Sequence, residues 1–131
     1  MPGIVGFGVA CEQAGRLLTE RGKAVRRLRD RLERGILEGI PGTRLNGHPE
    51  KRLPNTLNIE FEGVLAEDLL LNLDLEGIAV STGAACHSES RRPSPVLLAL
   101  GRSDLEAGSA LRFSLGQSNT EEEIQRTLEV L

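Results

Sequence analysis

Residues 4 to about 39 hold one long helical pattern, and everything after it must fold around that helix. Val25, Leu28, Leu32 and Ile36 recur at spacings of 3, 4 and 4, which places them on one helix face. Ala14, Leu17 and Leu18 are expected to extend that face backwards. The opposite face carries Arg26, Arg27, Arg29, Arg31 and Arg34 with Asp30 and Glu33. A basic run of this kind invites a binding-patch reading, but a solvated face laced with local ion pairs explains it more simply. Gly39, followed by Pro41 and Gly42, stops the helix.

Short elements follow. Thr43, Arg44 and Leu45 fit a short strand, and Asn46-Gly47-His48-Pro49 is turn chemistry. Asn55 to Phe61 alternates polar and apolar residues, the period of a half-buried strand. Ala66 to Asp74 reads as a helix with Leu69, Leu70 and Leu73 inward, closed by Gly77. Ile78-Ala79-Val80 reads as a buried strand. Ser94-Pro95 opens a further helix that Gly101 ends. Leu111 to Leu115 reads as the last strand, and Thr120 to Glu123 is a capping box opening a terminal helix. Helices and strands mix without regular βαβ repeats. The expected fold is α+β, a short sheet with helices packed mainly on one side, forming one domain over residues 1–131. A chain ending at Leu131 within a helix reads as a piece of something longer.

Composition removes several classes of function. The net charge of -3 leaves no electrostatic footprint for nucleic acid. Trp and Tyr are absent and Phe occurs three times, so no aromatic platform for single-stranded nucleic acid is expected. No apolar run approaches the roughly 20 residues of a membrane span. The start, MPGIVGFGVACEQAG, lacks the basic region of a signal peptide. Two cysteines, Cys11 and Cys86, are too few for a disulfide framework and fit a reducing compartment; a cytoplasmic setting is expected. Cys11, between Ala10 and Ala14 in the helical pattern, reads as a core-packing residue.

Cys86 stands in different surroundings. After Val80 come about a dozen small or polar residues, including Ser81, Thr82, Gly83, Ser88 and Ser90. They predict a mobile, solvated loop with an exposed thiol. His87 and the pair Arg91-Arg92 would favour the thiolate. A long mobile loop suits a nucleophile that must travel. The alternative is a small apolar residue that happens to sit in a loop, and spacing alone leaves the two readings open.

The segments VSTGAACHSESRRPSPVLLALG and SALRFSLGQSNTEEEI, with the earlier IVGFG and RLNGHPEKRLPNTLNIEF, resemble the C-terminal domain of the NifS/IscS-type cysteine desulfurases. These are pyridoxal-phosphate enzymes of the aminotransferase class V group. The resemblance covers nearly the whole chain and keeps the order and spacing of its motifs. It implies the small domain of the type I fold of pyridoxal-phosphate transferases. It implies that Cys86 accepts sulfur from L-cysteine as a persulfide and that Arg112 grips the substrate α-carboxylate. Without it, Arg112 reads as a strand residue facing solvent. The long serine-containing loop resembles the branch that feeds iron–sulfur scaffold proteins, and Cys86 is there implied as a possible contact to a nascent [2Fe–2S] cluster. His87 departs from the small hydroxyl residue expected after the nucleophile.

The family also needs a lysine to bind pyridoxal phosphate, a histidine that stacks on it and an aspartate that pairs its ring nitrogen. This chain has only Lys23, on the first helix, and Lys51, in a polar turn. Neither stands in the family's lysine motif, which belongs to a large domain ahead of the region covered here. The resemblance therefore implies partners: that large domain with its cofactor, L-cysteine, and a sulfur-acceptor protein. Two other readings stand beside it. One is a carrier that relays persulfide on Cys86 without catalysis. The other is the small domain of a relative acting on selenocysteine or cysteine sulfinate.

Overall fold

In a computed structural model of the chain, residues 1–82 and 93–131 are described. The first helix, α1, runs over Pro2–Gly39 with a proline in its opening turn. Ile40 leaves the helix in an extended conformation while its N–H still reaches the Ile36 carbonyl at 2.9 Å. Gly42 then turns the chain with a φ of 74°, a region that disfavours other residues. Two strands follow, β1 at Thr43–Leu45 and β2 at Thr56–Phe61. Helix α2 spans Ala66–Leu75, α3 Pro95–Ala99 and α4 Asp104–Gly108. Strand β3, Ala110–Ser114, and helix α5, Glu121–Val130, complete the described elements.

The strands form an antiparallel sheet in the order β1-β2-β3. Thr43 pairs with Phe61 on one side of β2, and Leu57 pairs with Phe113 on the other. Strand alternation gives this sheet two different faces. Leu57, Ile59 and Phe61 of β2 and Leu111 and Phe113 of β3 point to one face, where Leu32 and Ile36 of α1, Leu73 of α2 and Ile124 of α5 bury them. Gly35 lets α1 and α5 approach closely, since a Cβ there would stand 2.5 Å from the Leu128 side chain. The other face is mainly polar: Thr56, Asn58 and Glu60 lie beside Ser114, Arg112 and Ala110. Among the described residues, a small apolar cluster of Leu97, Ala107 and Ala110 is buried there, with α3 and α4. The fold is α+β as expected, with the long helices on one face and two short ones on the other.

Four expectations are corrected. Residues 1–21, with Ala14, Leu17 and Leu18, are exposed, and Cys11 is exposed rather than packed in the core. The helical stripe continues there, but among the described residues no element covers it, and periodicity without a partner buries nothing. Arg29 is buried, not on a solvated face. Ile78-Ala79-Val80 forms no strand: the Ile78 N–H returns to the Leu73 carbonyl at 2.8 Å, Ala79 is exposed, and pairing starts at Ser81. Finally, α4 was not expected, although Ser103 and Glu106 form a reciprocal capping box at its start.

Candidate functional site

The polar face of the sheet is built from residues that fasten one another. The Arg44 guanidinium donates to both carboxylate oxygens of Glu60, at 2.8 and 3.0 Å through one nitrogen. It also pairs with Glu106 of α4. Glu60 is only 5% exposed, so this fork supplies the countercharge its burial demands. The two carboxylates raise the Arg44 pKa, led by the Glu60 hydrogen bond. The Ser103 backbone N–H, followed by Arg44, holds the Glu106 carboxyl down at about 2. Nearby, Asn46 Nδ2 donates to Asn58 Oδ1 at 2.8 Å, and Arg102 Nε donates to Asn46 Oδ1 at 2.6 Å.

At the far side of this face lies Arg112, opposite Asn58 in the β2–β3 register. It is half-buried in β3, so the solvent-facing reading of its strand position is corrected. Its backbone forms an antiparallel bridge with Ser81. The Arg112 N–H donates to the Ser81 carbonyl at 2.6 Å, and the Ser81 N–H donates back at 3.1 Å. Arg112 Nη2 reaches Ser81 Oγ at 3.4 Å. Arg112 Nε is buried and has no hydrogen-bond partner among the described residues. A buried N–H without an acceptor is costly, and a guanidinium with an unsatisfied Nε–H has the donor pattern that pairs bidentately with a carboxylate. Sequence reasoning placed Ser81 among the residues that keep a loop solvated. Its pairing with Arg112 depends on a contact 31 positions away, which no local pattern signals.

Cys86, with His87, Arg91 and Arg92, lies outside the described residues, as does its possible cluster contact. The segment that contains them, residues 83–92, follows Ser81 and Thr82 directly in the chain, so the arginine and the segment bearing Cys86 are joined through Ser81. Among the described residues, no group of three or more His, Cys, Asp or Glu is arranged to hold a metal ion. No described helix is long and apolar enough to cross a membrane.

The residues present do not fit the covalent attachment of pyridoxal phosphate. Lys23 is exposed on α1 and donates to Glu20 at 3.0 Å, and Lys51 is exposed in the turn after β1. Covalent attachment needs an amine buried in a pocket, and both of these lysines are exposed.

Comparison with known proteins agrees with the geometry. The model of the family described as "Aminotransferase class-V" matches residues 1–127. The cysteine desulfurase IscS 1 of Archaeoglobus fulgidus is 47% identical over 131 residues, 100% of this chain and 34% of that protein. The cysteine desulfurase IscS of Methanosarcina thermophila is 48% identical, over 100% of this chain and 32% of its own length. The cysteine desulfurase NifS of Azotobacter vinelandii is 45% identical over 95% of this chain and 31% of its own. The solved structure of a NifS-like protein from Rickettsia africae superposes on 97% of this chain and 32% of its own, with a TM-score of 0.82 at 30% identity. This chain spans about a third of the length of the curated relatives it matches. The family match over residues 1–127 places the chain in the aminotransferase class-V family, among sequences similar to the IscS and NifS cysteine desulfurases.

Proposed function

We propose that this chain is the sulfur-accepting and substrate-gripping part of a cysteine desulfurase. In the overall reaction the thiol of Cys86 and L-cysteine become a Cys86 persulfide and L-alanine. The substrate sulfur leaves its carbon for the enzyme thiol, and that carbon gains the hydrogen of a methyl group. The persulfide then passes to an acceptor protein serving iron–sulfur cluster assembly, with a cytoplasmic setting the expected one. Pyridoxal phosphate, held by the large domain that the family resemblance implies, would supply the electron withdrawal that loosens the substrate's carbon–sulfur bond.

The observation that carries this reading is Arg112, whose buried Nε has no acceptor among the described residues while its backbone is pinned to Ser81. A guanidinium held this way fixes a carboxylate in two hydrogen bonds and thereby orients an amino acid for reaction. The similar proteins are cysteine desulfurases, which makes L-cysteine the amino acid.

The test uses the assembled enzyme, in which this chain is joined to the remaining two-thirds that its relatives carry. Arg112→Ala is expected to raise the KM for L-cysteine about 30-fold, the size of a lost charge-assisted pair. Cys86→Ala is expected to lower persulfide transfer by at least about a thousandfold, as loss of a nucleophile does. An unchanged KM, or persulfide transfer retained without Cys86, would overturn the assignment.

A further inference from the structure

We propose that Ser81 is a positioning residue for the substrate carboxylate, acting through Arg112. This rests on the reading of Arg112 as the carboxylate clamp and adds the residue that aims it. An arginine side chain has several rotatable bonds, and a clamp is useful only if its planar fork is held in one orientation. The strand fixes the Arg112 backbone, and two hydrogen bonds of 2.6 and 3.1 Å to Ser81 fix it a second time from the other side of β3. The same residue supplies the hydroxyl that receives Arg112 Nη2 at 3.4 Å. Among the described hydrogen bonds this is the side-chain contact the guanidinium makes.

Among the described residues, Asn58, Arg44 and Arg102 on this face are engaged elsewhere. Asn58, across the strand pair from Arg112, accepts from Asn46 through its side-chain oxygen. Arg44 and Arg102 hold the Glu60 carboxylate and the Asn46 amide on the far part of the face. Ser81 is thus the hydroxyl that takes up one Nη2 hydrogen. The second Nη2 hydrogen and the Nε–H, which has no partner among the described residues, are the donors that match the two oxygens of a carboxylate. The geometry assigns Ser81 to orientation and Arg112 to contact.

The experiment measures L-cysteine kinetics in the assembled enzyme. Ser81→Ala is expected to raise the KM about fivefold with kcat changed less than about twofold, the pattern of a lost binding orientation. Ser81→Thr and Ser81→Val form the decisive pair, because they differ only by hydroxyl against methyl. Threonine is expected to keep the KM near that of the parent, and valine to match alanine. A purely structural role would move kcat and KM together and would not separate Thr from Val. If Arg112→Ala raises the KM while Thr and Val behave alike, the inference about Ser81 fails and the clamp reading stands. If Arg112→Ala leaves the KM unchanged, the clamp reading fails and Ser81's role falls with it.

Discussion

At the residue scale, Arg29 and Glu106 show what charge does in this fold. Arg29 is 1% exposed on the apolar side of α1. It donates to Asp30 at 2.7 Å and to the Leu53 carbonyl at 3.0 Å, which ties the segment before β2 onto the helix. Arg52 pairs with Glu33 and fastens the same segment again. Replacing Arg29 by alanine would orphan the Leu53 carbonyl and leave a void; the expected loss is about 2 kcal/mol in urea unfolding. An arginine among charged neighbours reads as solvated in any local pattern, because the partner that buries it is 24 positions away. Glu106 makes a different prediction. Its folded carboxyl sits at about 2 against an ordinary 4.5, so its contribution is fully present above pH 4.5 and is lost as pH falls toward 2. Glu106→Gln is expected to lower stability at neutral pH and to flatten the fall in unfolding midpoint between pH 4.5 and 2. A slope equal to that of the parent chain would show that the Ser103–Glu106–Arg44 contacts contribute nothing to acid sensitivity.

At the scale of elements, local chemistry was legible where it is self-contained. The capping box at Thr120 closes within four residues: Thr120 Oγ1 accepts from the Glu123 N–H at 3.3 Å, and Glu123 accepts from the Thr120 N–H at 3.0 Å. Helix α5 starts where that signal says it should. Thr120→Ala is expected to cost about 1 kcal/mol, measured by thermal or urea unfolding. The same signal at Ser103 and Glu106 builds α4, whose five residues are too few to show a hydrophobic period. Ile78 to Val80 has the composition of a strand, yet a strand also needs a neighbour to exchange hydrogen bonds along its length. Only Ser81 meets β3, so that composition serves a different end: Ile78 and Val80 pack partly against the main core. The strands β2 and β3 were legible because polar and apolar residues alternate along them, even though Glu60 and Ala110 are buried on the opposite face as well.

At the scale of the whole molecule, the long helix divides in two. Its second half buries Val25, Leu28, Leu32 and Ile36 against the sheet and α5, as their spacing indicates. Its first half leaves Ile4, Val5, Phe7 and Leu18 exposed. Periodicity names a face but not what covers it, and for that reason Cys11 was misread. The two sheet faces divide labour in the same way. One is closed by the core, and the other presents a fastened polar network with Arg112 at its side. Neither Arg112's burial nor Ser81's role follows from local sequence, whereas the family resemblance, carried by motifs in order, does point to Arg112. The central claim is that sulfur from L-cysteine comes to rest on Cys86. The direct measurement gives L-cysteine to the assembled enzyme, traps thiols by alkylation, and locates added sulfur by peptide mass spectrometry. The account predicts one extra sulfur on the peptide containing Cys86 and none on the peptide containing Cys11. Extra sulfur on Cys11, or alanine formed with no added sulfur on Cys86, would contradict it.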